Sequence, residues 1–432
     1  MKRALAHPLY RRLFLAQVLS LAGTGLATVA LGLLAYDIAG AGAGQVLGTI
    51  FAIKMIAYVL VAPIAAAVVA RWPRRAVMIG SDSLRLLVAA SLPFVGVTWQ
   101  VYLLVFVLQS ASATFTPTFQ SVIPDVLTDE EDYTAALSLS RMAYDLEAVL
   151  SPMLAAVLLV LIPSSALFFG TAAGFAASAA LVLGSRLPGR SDGGTDTDEV
   201  PAPFWSRVRR GAVLFTSTPA LRPVLALNLA VAATGAFVLV QTVVIVRSLL
   251  HQGDGLVAVM LAINGAGSMT AAFVLPRVLR TVPEKRLMLG GAVVLTAAVA
   301  AVPLALTASG VPAGLSIGAL WLAVGIGWAS AETPVGRILR RAVADRDLPA
   351  AFAAQFSLSH ACWLITYPVA GWLGAIDLDL AAGVLAVVAA VATITAAALW
   401  PSAGRAGRSV VAPQQLSSIS QISDRSPITR SD

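Results

Sequence analysis

Charged residues are scarce in this sequence. Only 12% of its 432 residues are Asp, Glu, Lys or Arg, whereas soluble domains carry about a quarter. A soluble globular fold is therefore excluded, and we expect the chain to lie in a membrane. Cysteine is scarcer still, and the single Cys362 excludes an intramolecular disulfide and any cysteine-based metal cluster.

The signatures of common enzyme classes are also missing. The sequence has three histidines and contains no HExxH pair, no phosphate-binding loop and no Ser, His and Asp set at a suitable depth. Its basic residues are dispersed over short segments, so nucleic-acid binding is not expected. The sequence therefore predicts no enzyme activity, no metal site and no cofactor.

Long apolar runs are the main feature that the sequence does have. Hydrophobic residues make up 58% of it, and its mean hydropathy is +0.85. A transmembrane helix needs about 20 mostly apolar residues, and the sequence predicts an all-α polytopic membrane protein with twelve such helices. They span residues 13 to 36, 45 to 69, 76 to 97, 100 to 123, 136 to 161, 164 to 185, 221 to 247, 255 to 276, 286 to 307, 312 to 336, 350 to 374 and 379 to 400.

The distribution of Lys and Arg predicts the orientation of these helices. With the N-terminus inside, all but four of the 29 basic residues fall on the cytoplasmic side, as the positive-inside rule requires. The exceptions are Lys54, Arg85, Arg141 and Arg247. The sequence therefore predicts a multi-pass protein of the bacterial cytoplasmic membrane with both termini inside.

An internal repeat divides the chain. A shift of 210 residues aligns Gly80 with Gly290, and a shift of 216 residues aligns Pro152 with Pro368. Repeats of this kind indicate related structural units, here two pseudo-symmetric six-helix bundles joined by a cytoplasmic linker with an amphipathic helix and followed by a disordered cytoplasmic tail. The predicted domains are residues 1–186 and 221–400 for the bundles, 187–220 for the linker and 401–432 for the tail.

The loop between the second and third predicted helices reads ARWPRR at positions 70–75. Its residues Arg71, Arg74 and Arg75, together with the parallel six-helix repeats, resemble the major facilitator superfamily over nearly the whole chain. Ala70 and Pro73 stand where that family's loop signature has Asp and Gly. The resemblance implies a secondary transporter that works by alternating access, with helices 1, 4, 7 and 10 around a central cavity and the three arginines at an inner gate.

Shorter stretches resemble one branch of that family. AYDIAG at 35–40, SDSLR at 81–85 and TPTFQSVIPDVL at 116–127 are similar to bacterial exporters of drugs, macrolides and siderophores. Of the family's antiporter signature in the fifth helix, only Pro152 survives. The resemblance implies proton-coupled export, while an uptake symporter and a lysophospholipid transporter of the same fold remain alternatives.

The helices that the resemblance assigns to the cavity carry polar and aromatic residues at helical spacing. Such a cavity would suit a small amphipathic substrate. The alternative is that small polar residues only join neighbouring helices. The predicted cavity-lining residues are Gln17 and Thr24, Gln109 and Thr116, Asn228 and Gln241, and Trp321, Trp328 and Glu332.

Ionisable residues inside the predicted helices indicate a task or a partner, because each costs roughly 2.5 to 3.5 kcal/mol to insert. Glu147 and Lys54 lie at similar depth near the midplane. We expect Glu147 to titrate and couple protons to transport, with Lys54 setting its charge state; a fixed ion pair between the two is the alternative. Asp82 and Asp145 are further proton-coupling candidates, although each has an arginine three or four residues away with which it can pair.

Charges near the helix ends predict two gates. At the inner side, Asp82 is the nearest acid that could pair with the arginines of the ARWPRR loop. At the outer side, the 210-residue shift aligns Asp37 with Arg247 at the ends of helices 1 and 7. We expect these two opposite charges to form an outer latch.

The sequence thus predicts a monomeric, proton-coupled exporter of a small amphipathic molecule. Its expected partners are the lipid bilayer, its substrate, and protons or another coupling ion. A non-transporting membrane sensor is the competing class. It would need a folded soluble domain, and the sequence outside the predicted helices offers only a linker and a short polar tail.

Overall fold

The computed structural model describes residues 2–61, 72–187, 213, 215–343 and 348–401. All regular structure in these residues is helical, which confirms the all-α prediction. Three predicted features lie wholly or mostly outside the described residues: Arg71, the linker with its amphipathic helix (188–212 and 214), and the tail (402–432).

The long helices are labelled in chain order. Their bounds are α1 Pro8–Ala39, α2 Ala43–Ile56, α3 Arg74–Ser91, α4 Thr98–Val126, α5 Glu130–Leu158, α6 Leu167–Leu183, α7 Arg222–Val244, α8 Asp254–Val278, α9 Glu284–Ala300, α10 Gly310–Glu332, α11 Leu348–Ile376 and α12 Leu378–Leu399. Short helices at Lys2–Ala6, Val302–Leu306 and Val335–Ala342 accompany them.

Nine segments of the described chain are long and apolar enough to cross a membrane. The first of them, Pro8–Val61, contains both α1 and α2. Gly40 ends α1 with a φ of +54°, a conformation that glycine adopts without steric cost. Helices α5 and α11 have 29 residues each but are not among the nine segments, so the count of twelve spans stays a prediction.

Helix packing in the first part of the chain recurs in the second. Helix α1 packs against α5 and α6, and α3 packs against α4 and α6. The corresponding contacts six helices later are also present, with α7 against α11 and α12, and α9 against α10 and α12. Contacts of α2 with α11 and of α5 with α8 join the two sets. This arrangement is what two related bundles would produce, while the domain boundaries stay a prediction.

Hydrogen bonds between polar side chains of different helices repeat as well. Ser140 on α5 donates to the side-chain oxygen of Gln17 on α1 over 3.0 Å. In the second set, Asn228 on α7 and Gln355 on α11 exchange two amide hydrogen bonds of 3.1 and 2.9 Å. Asn228 lies within one residue of the position that the 210-residue shift assigns to Gln17. Gln355 lies within one residue of the position that the 216-residue shift assigns to Ser140. The duplicated polar contacts therefore join equivalent helices.

An ion pair also recurs, but with its charges exchanged. Arg74 at the start of α3 pairs with Asp125 near the end of α4. The residues 210 and 216 positions later are Glu284 at the start of α9 and Arg341, and these pair over 3.2 Å. The position of the ion pair is thus common to both sets of helices, whereas its polarity is not.

Glycines bring α2 and α11 together at one end of the molecule, where α1 ends and α2 begins; this end is called the closed end. A Cβ atom at Gly371 would lie 3.1 Å from the Cα of Gly48. Gln241 on α7 fills the adjacent space, donating to the carbonyl of Ala370 over 2.6 Å, and a Cβ atom at Gly44 would lie 2.9 Å from its amide nitrogen. The helices at the closed end therefore meet backbone to backbone.

We expect Gly371→Ala to lower the free energy of unfolding by about 1–3 kcal/mol, because a methyl group there has no room against α2. Gly290→Ala in α9 is the matched control, since a Cβ atom at that glycine meets nothing within 4 Å. Unfolding of the purified protein in detergent measures both variants. Equal stability of the two variants would contradict this account of the glycine contacts.

Candidate functional site

The Glu147 carboxyl group lies against the backbone of α1. A Cβ atom at Gly25 would lie 2.7 Å from Oε1 of Glu147 and would overlap the side chain of Ser151. Only glycine at this position of α1 therefore leaves room for the carboxyl group of α5. The Glu147 side chain is half-buried, and its carboxyl group packs between α5 and α1.

The equivalent position in the second set of helices holds indole rings. The repeat shifts of 210 and 216 carry Gly25 to Gly235 and Glu147 to Trp363. A Cβ atom at Gly235 would overlap the ring of Trp363 and would lie 3.0 Å from Cζ3 of Trp328. A carboxyl group in one half and an indole in the other thus pack against the same glycine position of α1 and α7.

Four aromatic side chains continue from this position as a series of ring contacts, called the aromatic row. Trp328 of α10 lies 5.1 Å from Trp363, Trp363 lies 5.0 Å from Tyr367, and Tyr367 lies 4.8 Å from Phe51 of α2, measured between ring centroids. Trp363 and Tyr367 are on α11. Because Phe51 is on α2 and Tyr367 is on α11, the aromatic row spans the contact that joins the two sets of helices.

The aromatic row ends beside a group of polar side chains, called the polar cluster: Lys54, Tyr58, Glu147 and His360. Lys54 follows Phe51 by one helical turn and interacts electrostatically with Glu147 and His360. The rings of Tyr58 and His360 lie 6.1 Å apart, and Nδ1 of His360 donates to the carbonyl of Phe356 over 2.7 Å. All four side chains are half-buried.

The contact between Lys54 and Glu147 differs from the fixed ion pair that the sequence left as an alternative. Their charges interact, yet the ion pairs within 4.0 Å among the described residues do not include these two. Tyr58 is also close to Glu147, Tyr144 and Arg85. The proton-coupling role of Glu147 stays a prediction, and the separation between the charges is compatible with it.

Asp82 has a different environment. It is fully buried, pairs with Arg85 and accepts a 2.7 Å hydrogen bond from Ser178. The Arg85 guanidinium lies between the rings of Phe115 and Phe175, at 4.4 and 4.5 Å from their centroids. These contacts favour the structural ion pair that the sequence left open, so proton coupling by Asp82 stays a prediction without support from its surroundings.

Several residues predicted to line the cavity are instead packed between helices. Trp321 is fully buried and donates from its indole nitrogen to Thr242 over 2.7 Å. The amide side chains on α1 and α7 described above are also buried and bonded to neighbouring helices, because an amide away from water must find a partner. The structure therefore favours the helix-joining alternative for four residues: Gln17, Asn228, Gln241 and Trp321.

The other predicted cavity residues have mixed exposure. Gln109 is 5% exposed. Thr24, Thr116, Trp328 and Glu332 are half-buried. The side chain of Asp145, a proton-coupling candidate, lies outside the described part of the structure, and all these roles stay predictions.

The inner-gate arginines have partners that the sequence did not suggest. Arg74 pairs with Asp125, and Arg75 donates to the carbonyl of Leu183. The prediction that Asp82 pairs with Arg74 or Arg75 is wrong, because Asp82 lies deeper in α3 and pairs with Arg85. The 216-residue shift is the signal that could have identified Asp125. It aligns Asp125 with Arg341, which pairs with Glu284, the counterpart of Arg74.

At the closed end, Arg247 contacts more residues than predicted. It pairs with Asp254 and lies 5.0 Å from the ring centroid of Tyr36. Ser248 donates a 3.1 Å hydrogen bond to the Tyr36 hydroxyl. Asp37 interacts electrostatically with both Arg247 and Asp254. The latch of Asp37 with Arg247 stays a prediction, and Asp254 and Tyr36 are additional members of this contact.

Comparisons with known proteins agree with this geometry. The structure resembles a mutant of the nucleoside transporter NupG, with a TM-score of 0.67 and 14% identity over 91% of this chain and 100% of that one. It also resembles a bacterial homolog of the human lysosomal transporter Spinster in an inward-facing, unoccupied conformation, with a TM-score of 0.67 and 13% identity over 91% and 98% of the two chains. Likeness at this level of identity concerns the fold alone.

Sequence comparisons complete the assignment. Comparison with curated protein sequences found no match. The sequence model of the Major Facilitator Superfamily matches residues 13–336, which is most of the chain and extends from within α1 to just beyond the end of α10. The chain therefore belongs to the major facilitator superfamily and is a transporter, not an enzyme.

Proposed function

We propose that this protein is a secondary active transporter that exports a small amphipathic molecule across the bacterial cytoplasmic membrane in exchange for protons. One observation carries the proposal: against the equivalent glycines Gly25 and Gly235, the first half packs the carboxyl group of Glu147 and the second half packs the indoles of Trp328 and Trp363. A site with a charged wall and an aromatic wall suits a solute with one polar and one apolar part.

Alternating access requires that the two halves close at one end while the other end is open. The glycine contacts between α2 and α11 and the Tyr36–Ser248 hydrogen bond support closure at the closed end. With twelve spans and both termini inside, as the Lys and Arg distribution predicts, this is the outer end. Arg247, Asp254 and Asp37 then form the outer gate, and Arg74 and Arg75 hold the inner ends of α3, α4 and α6.

Coupling to protons is assigned to Glu147. It is the carboxyl group of the polar cluster, and apolar surroundings disfavour the charged form of a carboxyl group. The charged side chain nearest to it is Lys54 on α2, and Tyr58, just after α2, is also close to it; beyond these two lie His360 on α11, beside Lys54, and Arg85 on α3 and Tyr144 on α5, beside Tyr58. Arg85 is already paired with Asp82, which leaves Lys54 as the cation that opposes Glu147 directly.

Export is preferred over uptake because three short stretches resemble drug, macrolide and siderophore exporters. The second candidate is an uptake symporter or a lysophospholipid transporter of the same fold. It is favoured by the loss of the antiporter glycines around Pro152. The two candidates predict opposite responses to the direction of a proton gradient.

Transport by the purified chain in proteoliposomes tests the proposal. A panel of antibiotics, dyes, siderophores and lysophospholipids is offered outside vesicles whose lumen is more acidic or more alkaline than the medium. An antiporter accumulates its substrate in the acidic lumen, a symporter does so in the alkaline lumen, and an uncoupler abolishes either effect. Accumulation that ignores the gradient and the uncoupler would refute proton coupling.

A further inference from the structure

The aromatic rings of the second half are not required by helix packing. In the first half, the glycine of α1 packs against Glu147 and Ser151, so a small or polar side chain satisfies the same contact. The 216-residue shift also aligns Trp328 with Ser112. The two indoles that contact Gly235 thus stand where the first half has smaller or polar residues. They are larger than the contact with the glycine requires.

The aromatic row has one end that other rings do not cover. Phe51, Tyr367 and Trp363 are 4%, 7% and 8% exposed, respectively, so the protein covers both sides of these rings. Trp328, at the α10 end, is half-buried. It contacts Trp363 on one side and lies against α7 at Gly235. The remaining surface of its indole is the part of the row that the protein leaves uncovered.

The chemistry of this surface favours an aromatic solute. Ring pairs separated by 4.5–7 Å gain about 0.5–1.5 kcal/mol beyond the burial of their area. The three ring-to-ring distances of the row fall within that range. A solute ring placed on Trp328 would extend the row by one member, whereas a saturated ring of equal size would gain only from burial.

We propose that the transported molecule carries an aromatic ring that binds against Trp328, and that Trp328 is the residue that selects aromatic over saturated solutes. This inference rests on the proposed function, because it assigns the apolar part of the amphipathic substrate.

Two probes of matched size test the inference: 2-naphthylmethanol and its saturated analogue decahydro-2-naphthylmethanol. Their apparent affinities for the purified protein follow from the ligand dependence of its unfolding midpoint. We expect the wild type to bind the aromatic probe about 2- to 13-fold more tightly than the saturated one. The ratio is internal to each variant, so it does not depend on the stability of that variant.

Variants assign the preference to one ring. Trp328→Leu is expected to bring the ratio close to one, and Trp328→Tyr to restore most of it. Trp321→Phe is the matched control, because Trp321 also lies on α10 but is fully buried, and it is expected to leave the ratio unchanged.

Three results would overturn the inference: equal binding of the two probes by the wild type, failure of both probes to bind, and a preference that survives in Trp328→Leu. Its failure is distinguishable from failure of the proposed function. If proton-driven transport persists while the ring preference is missing, only the inference fails. If the preference is present while transport ignores the proton gradient, only the proposed coupling fails.

Discussion

Glu147→Gln is expected to abolish concentrative transport while leaving downhill exchange of substrate intact. Glutamine keeps the shape of the side chain against Gly25 but cannot take up or release a proton. A gradient of one pH unit corresponds to about 1.4 kcal/mol per proton, which supports about tenfold accumulation of a solute exchanged for one proton. The variant should reach only equal concentrations on both sides of the membrane.

Proteoliposomes with an imposed pH gradient measure this difference. Asp377→Asn is the control for a change from carboxyl to amide, because Asp377 is exposed at the start of α12 and asparagine can also cap a helix. Since Glu147→Gln leaves Lys54 without its opposing charge, the double variant Glu147→Gln/Lys54→Met shows whether any loss arises from that cation. Concentrative transport by Glu147→Gln would rule out coupling through this carboxyl group.

Asp82→Asn is expected to lower the free energy of unfolding by about 3–5 kcal/mol, since it leaves the buried Arg85 guanidinium without a counter-charge. Asparagine is nearly the same size as aspartate and can still accept the Ser178 hydrogen bond. The loss therefore reflects charge rather than packing. Adding Arg85→Met to this variant should recover much of the stability, because the double variant no longer buries an unpaired charge.

Unfolding in detergent measures these variants against Arg341→Gln. Arg341 is 63% exposed in its ion pair with Glu284, and an exposed pair contributes at most about 1 kcal/mol. If Asp82→Asn were no more costly than Arg341→Gln, the Asp82–Arg85 pair would not be a stabilising element of α3. A proton-coupling role for Asp82 would then regain support.

The sequence predicted the general architecture well because that architecture follows from local composition and periodicity. Apolar runs of sufficient length indicate membrane helices, and the repeat of Pro152 and Gly80 at constant shifts indicates related halves. The helix contacts repeat in the same way. The family assignment rests on the same features, so it too could be made from the sequence.

Side-chain partners were predicted less well because they depend on helix rotation and tilt. Asp82 was expected to face the loop arginines, yet the rotation of α3 directs it towards Ser178 on α6. Gln241 was expected in the cavity, yet the glycines of α2 and α11 leave a space into which it fits. Sequence spacing specifies the face of a helix, but not the neighbour that this face meets.

One feature of the site could have been predicted from the sequence. Applying the repeat shifts to Gly25 and Glu147 leads to Gly235 and Trp363, and the contrast of carboxyl with indole follows at once. The aromatic row could not have been predicted from the sequence, because Phe51 and Tyr367 meet across the contact of α2 with α11. That contact is a property of the assembled halves.

The exchanged polarity of the Arg74–Asp125 and Glu284–Arg341 pairs affects how two similar halves assemble. A chain with duplicated helices can mispair during folding, with α3 taking the place of α9 beside α10. Such a swap would bring Arg74 against Arg341 and Glu284 against Asp125, and like charges at these positions repel. Opposite polarity at a shared position thus discriminates each half from its duplicate, so that only correct pairing of helices neutralises all four charges.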